Sequence, residues 1–110
     1  GVATGLGVSA VEYLRALREV DRARREARLA VDALACPASQ ILPPALEAPD
    51  DVAAAGRCAR VFNLLDWPSL VVPCGSVEAP VGLQFAGPPG REGVLFALAV
   101  ALEEALAVPV

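Results

Sequence analysis

Apolar residues recur every three or four positions from Val11 through Leu14, Leu17, Val20, Ala23, Ala27, Ala30 and Val31 to Leu34. That period is helical. Charged residues fill the opposite face, with Arg15/Glu19, Asp21/Arg25 and Arg22/Glu26 at i,i+4 spacing, each pair worth about 0.2–0.5 kcal/mol. Just ahead, Ser9 and Glu12 have the spacing of a capping box, in which the hydroxyl takes an orphan N–H and the carboxylate reaches back. The pattern predicts an amphipathic helix from Ala10 to Ala30.

Val31 to Cys36 is a short apolar run closed by Pro37, read as a buried strand. Residues 37–50 hold Pro37, Pro43, Pro44 and Pro49 and predict a stiff, extended loop. Asp50 and Asp51 can cap and charge-match a short helix running through Arg60. Two strands follow, Ser69 to Val72 and Val81 to Ala86, stopped by Pro73-Cys74-Gly75 and by Gly87-Pro88-Pro89-Gly90. The short Gly75–Pro80 connection makes them a hairpin. Neither strand alternates cleanly, which predicts burial on both faces. Helical spacing returns from Arg91 to Ala107, where Val94, Leu95, Leu98, Leu102, Ala105 and Leu106 form one stripe and Glu103 and Glu104 lie outside it. Two or three short strands do not make a stable sheet alone. The pieces therefore read as part of a larger layered α/β sheet covered by helices.

Composition sharpens that reading. The 110 residues allow one domain, 55% of them are hydrophobic and only 20% charged, and the mean hydropathy is +0.53. A small soluble domain must keep much of its surface polar, so some faces are expected to be covered by protein outside this sequence. Unbroken apolar stretches fall well short of the roughly 18 residues of a spanning helix, which argues against a membrane protein. The start shows no basic residue ahead of an apolar core and no Met, so no signal peptide is read and a processed or partial chain is expected. Cys36, Cys58 and Cys74 are odd in number and widely spaced, without a CxxC pair. They are expected to be buried free thiols in a reducing cytoplasm. The net charge of −4 argues against nucleic acid as a partner. Six of the nine arginines lie between Glu12 and Asp32 among five acids, a solvated, self-paired face rather than a phosphate stripe.

The residue inventory excludes more chemistry than it offers. With neither Lys nor His in the chain, no Ser-His-Asp triad, Ser-Lys pair or Lys-dependent phosphate loop can be built. Zinc spacings are absent for the same reason. Gly5 to Ala10 fits a GxGxxA pattern, but with no strand ahead of it the reading is a turn feeding a helix cap. The adjacent pairs Asp50/Asp51 and Glu103/Glu104 point helical side chains apart and read as surface charge. Cys74, at a strand end, lacks a base to activate it and reads as an ordinary thiol. No catalytic, cofactor-binding or metal-binding residue is assigned, and no cofactor is expected.

From Phe62 to Gly75 the sequence resembles the amidase signature family, whose members carry a similar stretch ending in Pro-Cys-Gly. Pro80-Val81-Gly82-Leu83-Gln84-Phe85-Ala86-Gly87 is similar to the family's P-V-G-L-Q-x-x-G strand, the most specific part of the match. Glu92 and the apolar helix after it, with Glu103, resemble the family's final helix. Upstream, Glu12-Tyr13-Leu14, Val31 to Leu34 and Pro37 fall in the family's order as well. The resemblance implies that residues 1–110 are the C-terminal segment of an α/β amidase signature fold, a mixed-sheet fold with helices packed on short buried strands. It also implies hydrolysis of carboxylic amide C–N bonds by a Ser–cis-Ser–Lys triad, with backbone N–H groups as an oxyanion hole.

In the family the triad lies upstream of the matched region, so none of it is carried onto this chain, and Ser69 and Ser76 receive no catalytic role. The chain alone is expected to be inactive. Its expected partners are the remainder of the amidase, in the same or a complementary chain, and a small-molecule amide substrate. Two alternatives stay open: the amidotransferase A subunit of tRNA-dependent amidation, and a non-catalytic scaffold or interaction module. Three departures stand out. Ala38 replaces the common Thr, Asp66 replaces the usual Gly, and the Gly75–Pro80 connection is short. Asp at position 66 suits a left-handed backbone better than most residues do. Phe62 and Asn63, read as opening the loop into a buried strand, are pocket neighbours only by position, and core packing is the simpler reading.

Overall fold

The structure, a computed structural model, describes residues 5–43, 45 and 56–107. Helix α1 spans Ala10–Glu26 and begins at the expected capping box: Ser9 Oγ accepts the Glu12 N–H at 3.3 Å, and Glu12 Oε2 accepts the Ser9 N–H at 2.8 Å. It stops short of Ala30, because Ala27 turns to an extended ψ of 123°, and Ala30 and Val31 lie in a bend. Of the expected ion pairs Arg25–Asp21 forms, at 3.9 Å, whereas Arg22 turns back to Glu19, the carboxylate expected to take Arg15.

Strand β1 is Leu34–Pro37, later and more exposed than the buried run predicted from Val31. Helix α2 is Arg57–Leu65 and continues past Arg60, where a stop was expected. Its N-cap, Gly56, makes no side-chain bond, and the capping role proposed for Asp50 and Asp51 lies outside the described residues. Strands β2, Ser69–Pro73, and β3, Gly82–Ala86, form the expected antiparallel pair, with Leu70 opposite Phe85 and Val72 opposite Leu83. Helix α3 is Glu92–Ala107.

The three strands lie in the order β1-β3-β2, antiparallel throughout. β3 is central, and only there does burial extend over consecutive residues, from Gln84 to Ala86. The outer strands are largely exposed, contrary to the burial expected of β1 and the two-sided burial expected of β2, and both end in proline, the residue that edge strands tolerate. α3 packs across β2 and β3, and Val72, Phe85, Leu95 and Ala99 form the core with Leu70, Leu83, Leu98 and Leu102 around them. Each large side chain buried there contributes about 1.5–3 kcal/mol. On the opposite face Gln84, 2% exposed, accepts a weak bond from Cys36 Sγ at 3.9 Å. α1 packs on α2 and buries no residue of its own. Among the described residues no helix is long and apolar enough to cross a membrane. The class is α/β, as expected, with an antiparallel portion of sheet under a helix.

Candidate functional site

Three segments meet at one end of the sheet. β1 leaves at Pro37, β2 leaves at Pro73 and β3 enters at Gly82, and the pairings Pro37 with Leu83 and Pro73 with Gly82 set these points side by side. Backbone bonds fasten them, from Ala38 N–H to Gly82 O at 2.8 Å and from Cys74 N–H to Val81 O at 2.9 Å. The glycines explain the closeness. A Cβ on Gly82 would sit 2.6 Å from Val71 Cγ1 and 3.2 Å from the Ala38 Cβ. A Cβ on Gly75 would strike the Ala79 carbonyl oxygen and stand 2.5 Å from Val81 N.

Beside this junction lies a cleft of about 200 Å³, lined by Ala38, Ser39, Ile41, Leu42 and Pro43 on one side and Pro80, Val81 and Gly82 on the other. Its walls are mostly aliphatic. Ser39 Oγ is engaged locally, accepting the Ile41 N–H at 3.3 Å. In the neighbouring turn Ser76 Oγ accepts the Ala79 N–H at 3.1 Å. The Glu78 carboxyl there is held below its ordinary range by its own backbone N–H and then by the Ser76 hydroxyl. Cys74 Sγ points to the Val81 carbonyl at 3.8 Å. Such a surface can receive an apolar group and exclude water. Among the described residues its lining carries no ionisable side chain, and the sequence has neither Lys nor His.

The other residues singled out from the sequence are dispersed. Phe62 is buried and Asn63 exposed, both in the last turns of α2 rather than at the start of a loop. Gly5 O accepts the Val8 N–H at 3.1 Å in a turn ahead of α1. Glu103 and Glu104 are exposed on α3, and Ser69 is exposed on β2. All three cysteines are free but half-buried rather than fully buried. Desolvation, and then the neighbouring Cys58, push the Cys36 thiol up from its ordinary pKa. The cleft residues Ile41 and Leu42 carried no signal of their own, and Pro80 carried one only as the first residue of the P-V-G-L-Q stretch. Only the strand register brings the proline-rich stretch beside Pro80.

Residues 6–96, including this whole junction, match the protein family described as Amidase. The chain belongs to the amidase family. It overlays a crystal structure of an amidase with a TM-score of 0.83 at 30% identity, covering 96% of this chain and 27% of that one. It is 37% identical over 109 residues to 2-amino-5-chloromuconic acid deaminase of Comamonas testosteroni, covering 87% of this chain and 23% of the relative. It is 36% identical over 84 residues to the protein named "Putative amidase AmiA2" of Mycobacterium bovis, covering 66% of this chain and 17% of that protein. The chain thus spans about a fifth of the length of the curated relatives it matches.

Proposed function

We propose that the chain is the C-terminal segment of an amidase that hydrolyses carboxylic amide C–N bonds, and that its own part is structural and pocket-supporting. The observation that carries this reading is the aliphatic cleft at the sheet end, built from the P-V-G-L-Q segment and the β1 exit, with no ionisable side chain in its described lining and neither Lys nor His in the sequence. Amide hydrolysis needs a nucleophile, a group to deprotonate it and donors for the oxyanion. In the amidase family these come from a Ser–cis-Ser–Lys triad and backbone N–H groups. Here they fall to residues outside these 110.

In this division of labour Ile41, Leu42, Pro80 and Val81 wall the part of the pocket that holds the apolar portion of a small amide, and they keep water from it. Gly75 and Gly82 let the segments approach closely enough to form that wall. Relatives named as an amidase and as a deaminase, both C–N chemistries by name, support the reaction class. The expected partners are the rest of the amidase polypeptide and a small-molecule amide, in a reducing compartment such as the cytoplasm, where the three thiols stay free.

The test is ammonia release from a panel of aliphatic and aromatic amides, assayed for the 110-residue chain and for the protein extended through its flanking coding sequence. The extended protein should be active, and the short chain inactive. Turnover by the short chain, or an extended sequence without a serine–lysine constellation, would overturn the proposal.

A further inference from the structure

We propose that the outward face of α3, centred on Phe96 and Val100, is a docking surface whose occupant is the part of the amidase polypeptide that lies outside these 110 residues. The inference rests on the reading of the chain as an amidase segment.

The two sides of α3 are both apolar, and among the described residues only one of them is covered. Leu95 and Ala99 are buried against the sheet, with Leu98 and Leu102 beside them. Phe96 and Val100 lie one turn apart on the far side, 61% and 52% exposed. Glu92, Glu103 and Glu104 are the helix's charged residues, and all stand near its ends. A helix that covers a core as an outer layer keeps its solvent side polar, whereas a helix apolar all round is an inner layer with protein on both sides. α1 shows the contrast, since arginines and carboxylates fill much of its surface. α3 therefore has the composition of a helix lying between two layers, and one of those layers is the sheet.

The second layer is the longer polypeptide rather than a second copy of this chain. Nearly all of this chain overlays the solved amidase while filling 27% of it, so most of that fold lies outside the overlay. Apolar exposure is also not confined to α3. Val11, Leu14 and Leu17 on α1 are between 44% and 57% exposed, and they extend a helix whose later turns already pack on α2. A two-fold contact through α3 would leave that stripe in water. A polypeptide several times longer can cover both, and exposed apolar patches of this kind mark protein contacts.

Phe96→Cys tests the surface directly, because a substitution at an exposed position leaves the short chain's own core intact. Maleimide labelling at position 96, resolved from Cys36, Cys58 and Cys74 by peptide mass spectrometry, would be followed in the 110-residue chain and in the protein extended through its flanking coding sequence. Each would be normalised to its urea-denatured rate. Position 96 should label freely in the short chain and lose its labelling in the extended protein. Equal labelling in both would overturn the proposal. Protection in the short chain that grows with its own concentration would also overturn it, by making a second copy the occupant. Labelling and amide hydrolysis are separate readouts, so an extended protein that hydrolyses amides with position 96 still open defeats the docking surface alone.

Discussion

Arg24 and Asp66 form an ion pair at 2.8 Å that closes the end of α2 from the side of α1. Asp66 follows the helix in the left-handed region, at φ 56° and ψ 33°. Its N–H goes back to the Asn63 carbonyl at 3.3 Å, and the Trp67 N–H goes to the Phe62 carbonyl at 2.9 Å. This is the bonding of a Schellman cap. Arg24 Nε then takes the Leu64 carbonyl at 2.7 Å, so three successive orphan acceptors are satisfied, one of them from another helix.

Two substitutions at position 66 separate the backbone from the charge. Asp66→Ala loses the ion pair and keeps a Cβ in a left-handed conformation, and should cost about 1–2 kcal/mol. Asp66→Gly loses the same pair but relieves the conformation, and should stay within about 1 kcal/mol of the parent. Urea unfolding of the three proteins checks the order; equal losses would show that the ion pair, not the backbone, matters there.

Arg24→Ala should loosen α1 more than a surface charge deletion normally does, by about 1 kcal/mol, because the Leu64 carbonyl loses its donor as well. Amide hydrogen exchange reports it by location. Faster exchange should be confined to α1 and the last turn of α2, with α3 and β3 unchanged.

Much of this was legible in the sequence, and the failures share a cause. Ser9 and Glu12 announced the start of α1, and proline and glycine bracketed β2 and β3, because those signals are local. The ends of α1 and α2 were misplaced because their stops are not the residues that usually mark them. α1 ends at Ala27 without Gly or Pro, so the apolar spacing continued falsely through Ala30 and Val31 into β1. α2 ends at an Asp doing a glycine's work. The cleft was invisible for a different reason: residues 38–43 reach Pro80 only through the β1–β3 register, and no local pattern encodes that pairing.

Gly75→Ala and Gly90→Ala should differ in kind. At Gly75 the added methyl meets backbone atoms of Ala79 and Val81, which a tight connection cannot move aside, so a cost of about 1–3 kcal/mol is expected. At Gly90 the space is open, and the expense is only the positive φ of 87°, roughly 1 kcal/mol. Denaturant midpoints rank the two, and in the extended enzyme only Gly75→Ala should also raise KM, because it disturbs the cleft wall.

The capping box makes part of the α1 helicity pH-dependent. Glu12 has its carboxyl lowered first by the Ser9 hydroxyl and then by the Ser9 N–H. A carboxyl depressed in the folded state adds stability above its unfolded pKa, and that stability is lost as pH falls through the folded value. Far-UV circular dichroism should therefore show α1 weakening only on the acid side of the ordinary glutamate range. Ser9→Ala should cost about 1 kcal/mol at neutral pH and shrink the acid-side change.

Cys36 titrates in the opposite sense, and the difference bears on chemistry. Its thiol is pushed up mainly by desolvation, so the neutral form is the one the fold favours. The stability it adds is complete below the ordinary thiol pKa of about 8.5, and it is lost as pH rises through the folded value. Alkylation by iodoacetamide near pH 8 should accordingly be slower at Cys36 than in an unstructured peptide, since the thiolate is the reactive form. Cys36→Ser offers Gln84 Oε1 a stronger donor than the 3.9 Å thiol contact, so it should hold neutral-pH stability within about 1 kcal/mol and abolish the alkaline loss. In the extended enzyme Cys36→Ser and Cys74→Ser should both leave kcat within a few-fold. A collapse of kcat in either variant would place a thiol in the reaction, against a chain that has neither His nor Lys to ionise one.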